Sequence, residues 1–338
     1  MRVFRFLMIL LLLLVSPALR AQTAAELLNW TRTHLDRGNC DDAKETYALY
    51  KEKVPQGNAE VERRIEECGK FSQSSVIPNQ DLTFTVNGVN FKMVFEEGGS
   101  FTMGCTSEQG DDCLDREKPA HQVSVSDYYI GETEVTQALW LAVMGNTVAE
   151  QRELTAAQRN LSSSLFELPG VGNNYPMYYV SWDDCQVFIL KLNNLLRDKL
   201  PADCIFSLPK EAEWEYAARG GDKSRGYKYA GSNNIGLVAW YSDNSGNENH
   251  PVKGKMANEL GLYDMTGNVF EWCEDRCEDY SREPKGDTSS HSYTERKRIW
   301  RAGSFNSEAR FSRVASRCCN DPNSRGSNVG FRLAIVHR

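Results

Sequence analysis

The chain has 338 residues, 41% of them hydrophobic and 25% charged, with a formal charge of −7. This is ordinary globular composition, with length for one large domain and one small one. An acidic balance without a basic cluster argues against nucleic acid as a partner. Arg2 and Arg5 precede an apolar run from Phe6 to Val15, which Ser16-Pro17 ends. Ala18-Leu19-Arg20-Ala21 then offers a small residue for cleavage before Gln22. Residues 1–21 read as a secretory signal peptide, because the apolar run is too short to span a bilayer. No cysteine marks the cleavage point for a lipid, and no other stretch is long and apolar enough to span. Losing Arg2, Arg5 and Arg20 takes the formal charge from −7 to −10. The chain is expected to be exported, to a periplasmic, cell-surface or extracellular location.

Residues 22–70 read as a small helical module. Leu27, Leu28, Trp30 and Leu35 fall at near-helical spacing over 25–37, and Gly38-Asn39 breaks that helix. A second helix is expected over 41–53, where Ala43, Tyr47 and Tyr50 lie three or four residues apart. A third follows over 59–67, after the Pro55-Gln56-Gly57 turn. Gly38 to Ala43 followed by Tyr47 resembles one tetratricopeptide-type hairpin, a single unit where solenoids need several. Cys40 opens the second helix and Cys68 ends the third. Antiparallel packing would set them side by side, so a Cys40–Cys68 disulfide is expected to staple a module with little core of its own. Residues 71–80 form a Ser-containing linker.

The main domain covers 81–338. Two strand-like runs, 82–86 and 89–94, flank Asn87-Gly88, a strong two-residue hairpin signal. A strand is expected over 122–130 and a helix over 136–144. Residues 146–175 read as a polar, irregular insertion. A long helix opens at Trp182-Asp183-Asp184, with Val187, Phe188, Leu190, Leu192, Leu195 and Leu196 as its apolar stripe. A short helix spans 210–219; Trp214, Ala217 and Ala218 share one face, which reads as a packed core helix with charged caps. From Gly220 onward the chain is mostly loop, and so much irregular chain needs staples, either disulfides or a bound ion. Periodicity alone gives an α+β class.

All 10 cysteines follow the leader, and an even number in an exported chain points to disulfides. Cys105 and Cys113 bracket a polar loop and are candidates to close it. Cys273 and Cys277 lack the paired histidines of a zinc site, and the five histidines form no metal triad. No Gly-x-Ser-x-Gly elbow or phosphate-binding loop is present.

Six segments in order carry a resemblance. They are Gly98 to Gly104, Glu132-Thr133-Glu134-Val135-Thr136, Val180 to Asp184, Leu208 to Gly221, Asn258 to Trp272, and a C-terminal signature of Arg301 to Arg310 running on to Asn328-Val329-Gly330-Phe331-Arg332. Over roughly residues 82–337 the chain resembles the formylglycine-generating enzyme, or sulfatase-modifying factor, family. The resemblance implies a loop-rich α+β fold related to C-type lectins. It also implies a structural calcium, held by the side chains of Asp264 and Glu271 and the carbonyls of Gly267 and Val269. Carboxylate and carbonyl oxygens around a Gly-containing turn suit a hard cation; the alternative is a metal-free turn.

The family's aerobic enzymes oxidise a substrate cysteine with Cu(I) held by two cysteine thiolates, soft ligands suited to that ion. The first of those positions falls at Ser307 and the second near 310–312, and no cysteine lies between Gly303 and Arg317. A serine hydroxyl is a poor Cu(I) ligand, so copper chemistry is not expected. Cys273, Cys277, Cys318 and Cys319 offer thiols from new positions, with disulfide pairing the plainer account. Ser304, Asn306, Ser307 and Arg310 mark a candidate ligand groove. Glu308, Arg310, Arg313 and Arg317 suit either an anion pocket or structural ion pairs. The expected function is an exported, non-catalytic binding or scaffold protein for a peptide, glycan or protein ligand. The alternatives are a copper-dependent oxidase forming formylglycine in sulfatases, or another oxidoreductase of the wider superfamily.

Overall fold

The computed structural model describes residues 23–36, 40–67, 79–281 and 297–337. The expected leader, the Cys40–Cys68 bond and most of the linker lie outside the described residues. The chain divides into a helical unit within residues 1–76 and a larger unit over 77–337.

In the helical unit, α1 (Ala24–Asp36), α2 (Cys40–Lys53) and α3 (Ala59–Glu67) bury Leu27, Leu35, Ala43, Tyr47, Tyr50 and Val61 together. Tyr47 stacks on Tyr50 at 5.5 Å between ring centroids, and its hydroxyl donates to the Asn58 carbonyl at 3.1 Å. That hydrogen bond ties the turn before α3 back to α2.

The larger unit is built on β1 (Leu82–Val86), β2 (Val89–Glu96), β5 (Tyr128–Gly131), β6 (Cys204–Ser207) and β11 (Ala334–His337). They form one sheet in the order β1-β2-β5-β11-β6. Asn87 and Gly88 both take positive φ (47° and 82°), as a tight hairpin turn requires. The remaining strands form two smaller sheets. One pairs β3 (Gly99–Met103) with β4 (His121–Val125), and the other orders β10 (Val329–Gly330), β7 (Phe270–Arg276), β8 (Arg298–Arg301) and β9 (Cys318–Asn320). The strand expected over 122–130 is thus broken at Ser126-Asp127. Its two halves enter different sheets, because the alternation of buried residues stops there and β5 is buried on both faces.

Side-chain alternation along β5 divides the interior in two. Tyr129 faces a core shared with α4 (Gln137–Met144) and α6 (Trp182–Leu196). Tyr128 and Ile130 face a second core, which includes Trp214 and Tyr216 of α7 (Glu211–Ala218). In the first core Trp140 stacks on Phe188 at 5.5 Å, and Phe331 meets both rings edge-on.

Three sequence expectations change. The insertion over 146–175 contains a helix, α5 (Val148–Gln158), started by a Thr147/Glu150 capping box. The stripe of α6 is rotated. Cys185, Phe188, Ile189, Leu192 and Leu196 are buried, whereas Val187, Leu190 and Leu195 are exposed. The helix opens one residue after Ser181, whose hydroxyl caps it, and this sets which face meets the sheet. In α7 the acids are not solvated caps, since Glu211, Glu213 and Glu215 are all buried.

The staples of the loop-rich half are arginines. Arg301 pairs with Glu215 at 2.5 Å and Glu211 at 3.2 Å. Arg317 forks onto Glu211 at 2.7 and 2.8 Å, and Arg313 onto Glu117 at 2.8 and 2.9 Å. Arg332 forks onto Glu271 at 2.8 and 2.7 Å. All four arginines are buried, so Arg313 and Arg317 are structural ion pairs and not an anion pocket. Burial lifts the Glu215 carboxyl and the charges of Arg219 and Arg301 outweigh it, leaving its pKa below the usual range. Two disulfides add to these tethers, Cys105–Cys113 and Cys277–Cys319, with Cα–Cα distances of 5.8 and 5.7 Å. The expectation that the cysteines pair holds only in part. Among the described residues Cys185, Cys204, Cys273 and Cys318 are free thiols, the first three buried in the cores.

Removing one member of a buried pair leaves an uncompensated charge, which costs about 3–5 kcal/mol. Arg301→Met should lower the free energy of urea unfolding by that amount. Arg301→Lys should recover less than half of it, because an ammonium cannot fork between two carboxylates.

Candidate functional site

The groove residues stand on a strained turn. After β8, Ala302 and Gly303 both take positive φ (77° and 75°). A Cβ at Gly303 would lie 2.3 Å from Ser312 Oγ, so only glycine fits. The turn drives Phe305 into the interior and leaves Asn306 exposed. Ser304 and Ser307 face each other across it, with hydroxyl oxygens 2.8 Å apart. The Ser304 amide donates to Ser307 Oγ at 3.1 Å, and the Ser304 hydroxyl also reaches Asn306 Oδ1 at 2.8 Å. Asn328 closes the set from the turn before β10, donating from Nδ2 to Asn306 Oδ1 at 3.0 Å and to Ser304 Oγ at 3.3 Å. Ser307 is 9% exposed. Its hydroxyl is turned inward and committed to the turn.

The structure therefore brings Ser304, Asn306 and Ser307 together and adds Asn328, which the sequence reading had not named as a site residue. Arg310 stands apart. It is exposed, pairs with Glu308 at 3.1 Å and lies over the Phe311 ring at 4.6 Å. Nothing in the turn prepares a serine to attack. His250 directs Nε2 to the Ser245 carbonyl at 2.8 Å and stacks on Trp240 at 3.8 Å. Ser245 in turn donates to the Phe305 carbonyl at 2.7 Å, so this chain of contacts supports the turn from behind. The relocated thiols are also spent or masked. Cys277 and Cys319 are bonded to each other. Burial pushes the Cys273 thiol well above its ordinary pKa, and burial raises that of Cys318 as well.

The acidic loop lies against this turn, through a hydrogen bond of 2.7 Å from the Phe305 amide to the Asn268 carbonyl. Asp264, Gly267 and Asn268 all have positive φ. A Cβ at Gly267 would sit 2.2 Å from the Trp240 carbonyl oxygen, which explains the glycine. Glu271 is fully buried and holds Arg332 with both oxygens; its Oε2 also accepts from Trp214 Nε1 at 2.6 Å. Asp264 Oδ2 accepts the Lys253 amide at 2.9 Å. A third carboxylate, absent from the expected set, belongs to the cluster. Glu134 accepts the Val269 amide at 3.1 Å and Asn268 Nδ2 at 2.7 Å. It sits in the Glu132-Thr133-Glu134-Val135 segment, where spacing gave it no role.

Burial raises the Glu134 carboxyl well above its ordinary pKa, and the charges of Asp264 and Glu271 add to this. Burial also carries Asp264 up to about 6. Three buried carboxylates face one guanidinium, so the cluster is short of positive charge. Hard oxygen donors and missing positive charge fit a dication such as calcium. No three acidic, His or Cys side chains converge as metal ligands among the described residues, so an ion here would depend on the Gly267 and Val269 carbonyls.

Comparison with known proteins follows the same lines. The family model described as sulfatase-modifying factor enzyme 1-like domain matches residues 82–336. A formylglycine-generating enzyme of Streptomyces coelicolor is 30% identical, over 70% of this chain and 87% of its own. A chaperone protein named LppX from Paenibacillus barcinonensis is 32% identical, over 55% of this chain and 71% of its own. An inactive Cα-formylglycine-generating enzyme 2 of Bos taurus is 28% identical, over 73% and 89%. Among solved structures, the Treponema denticola variable protein 1 is 32% identical with a TM-score of 0.58, covering 75% of this chain and 98% of its own. PvdO from Pseudomonas aeruginosa, at 24% identity and a TM-score of 0.55 over 77% and 99%, shows the same fold. The ordered motifs, the loop-rich α+β architecture and the family match agree, and the chain belongs to the sulfatase-modifying factor family.

Proposed function

We propose that this protein is an exported binding or scaffold member of its family that does not make formylglycine. The observation that carries the reading is Ser307. The position implied for the first copper thiolate holds a hydroxyl closed into the Ser304–Asn306–Asn328 network. No thiol follows until Cys318. Oxidation of a substrate cysteine needs soft thiolate ligands for Cu(I), and hard hydroxyls do not replace them. Relatives named as a chaperone and as an inactive enzyme support the idea that the fold serves without the oxidase chemistry. The partner is a peptide, glycan or protein met at the surface around Asn306, the exposed member of the turn.

Calcium belongs to the same reading. Asp264 and Glu271 would hold it with the carbonyls of Gly267 and Val269. It would supply the positive charge that the three carboxylates lack, fixing the loop on which the serine turn rests.

Two outcomes are expected. The purified protein, loaded with Cu(I), should leave a Cys-x-Pro-x-Arg peptide unoxidised under air, as read by mass spectrometry; turnover above the metal-only rate would restore the oxidase reading. The second concerns pH. The folded pKa of Asp264, about 6, lies above its ordinary value of 3.8. Ionising it therefore costs the chelated folded state. Its contribution to stability is present below about pH 4 and is lost as pH rises towards about 6. Relative to wild type in chelator, Asp264→Asn should gain in urea midpoint between those pH values. Added calcium should raise the wild-type midpoint above pH 6 and leave that of the variant unchanged.

A further inference from the structure

A second acidic cluster shares no residue with the serine turn or the Asp264–Glu271 set. It surrounds a cavity of about 430 Å³ at the far end of β2, lined by Asp81, Glu96, Glu97, Asp222, Lys223 and Leu260, among others. Asp81 is already engaged. It pairs with Lys92 at 2.7 Å and accepts the Phe95 amide at 3.0 Å. Glu97, Asp222 and Lys223 are exposed at the mouth.

Glu96 is different. It is 3% exposed and lines the cavity. Its carboxylate makes no hydrogen bond or ion pair with any described residue, although every other buried glutamate of this domain considered above is paired or hydrogen-bonded. A buried, unpartnered carboxyl costs several kcal/mol where it is charged, so a fold retains one only at a cost elsewhere.

The backbone is shaped around it. Gly220 and Gly221 follow α7 with φ of 94° and 56°. A Cβ at Gly221 would lie 2.7 Å from Glu96 Oε2, and one at Gly220 would lie 2.9 Å from Glu259 Oε2. Two successive glycines let the turn pass between two carboxylates. Both Glu259 oxygens are buried without a hydrogen-bond partner.

The chemistry of a fitting ligand follows. Three unpaired carboxylates against one lysine exclude an anion. No three acidic groups among the described residues converge closely enough to chelate a bare ion. The volume instead suits a small organic group, and Val94, Phe95 and Leu260 provide apolar wall. We propose that this cavity binds an organic cation, an ammonium or guanidinium on a short apolar stem, with Glu96 as its buried counter-charge and Glu97 and Asp222 at the mouth.

Protons are coupled to that binding. Burial carries the empty-site Glu96 carboxyl up to about 8; the Lys223 charge opposes this and those of Asp222 and Asp81 add to it. The hydroxyls of Tyr128 on β5 and Tyr216 on α7 also lie within electrostatic range of Glu96. Glu96 is therefore mostly protonated at neutral pH and must ionise to meet a cation. Affinity rises with pH to about 8 and levels off above it, and binding at pH 7 releases about one proton.

Isothermal titration calorimetry of the full chain tests this, using n-butylammonium chloride and N-acetyl-lysine methylamide as probes. The expected result is binding about fiftyfold tighter at pH 8 than at pH 6. At pH 7 the heats in buffers of different ionisation enthalpy should reveal the released proton. Glu96→Gln should abolish the proton release and weaken binding about tenfold. The exposed Asp222→Asn, which leaves the interior intact, should weaken binding several-fold. A preference for the lysine amide assigns the cation to a peptide side chain, and a preference for the free amine assigns it to a small metabolite. Absence of heat from both probes at pH 8 would overturn the proposal. So would binding without proton release, or unchanged affinity in both variants.

Discussion

Four buried arginines, each paired with a glutamate far away in sequence, are the constraint on which the main domain depends. The half of the domain after Gly220 has few long elements, and its backbone must still be placed to a fraction of an ångström. An apolar contact is non-directional and cannot do this alone. A guanidinium fork fixes both distance and angle. Arg301 joins β8 to α7, Arg313 joins a C-terminal loop to the Cys105–Cys113 region, Arg317 reaches the start of α7, and Arg332 reaches β7. Each also donates to backbone carbonyls or further side chains, and of the four only Arg301 leaves a buried donor, Nε, without a partner. Such pairs are weak as net stabilisers but intolerant of loss, and they act as rulers more than as glue.

The candidate site inherits this precision. Arg332 fixes Glu271, Glu271 closes the loop that began at Asp264, and the Asn268 carbonyl of that loop receives the Phe305 amide. The serine turn is thus held as firmly as a catalytic turn would be. What stands on it is a ring of hydroxyls and amides that satisfy one another. A rigid, polar, partly exposed turn is a good recognition surface, because few degrees of freedom are lost when a partner meets it.

Much of this was legible in the sequence, and the losses have physical causes. The hairpin at Asn87-Gly88, the start of α6 and the ordered family motifs were readable because each rests on local rules. Helix α5 was missed although Thr147 and Glu150 carry a capping signature, since a polar surface helix shows little periodicity. The stripe of α6 was misjudged because Val187, Leu190 and Leu195 are apolar and nevertheless exposed. The acids of α7 look like surface residues until arginines 86 and 106 positions away are brought to them. Glu134 was invisible as part of the acidic loop for the same reason, lying 135 residues from the amide it accepts. Partners at such distances leave no mark in a local window.

The position of β11 has a consequence for how the protein comes into being. Strand β11 is not at an edge; it fills the slot between β5 and β6. Until residues 334–337 arrive, those two strands have no common neighbour, and until residues 301–332 arrive Glu117, Glu211 and Glu271 lack the arginines that pair with them. Non-local closure of this kind slows folding. The order of synthesis therefore acts as a timer. Synthesis must run as far as residues 334–337 before the central sheet can close between β5 and β6.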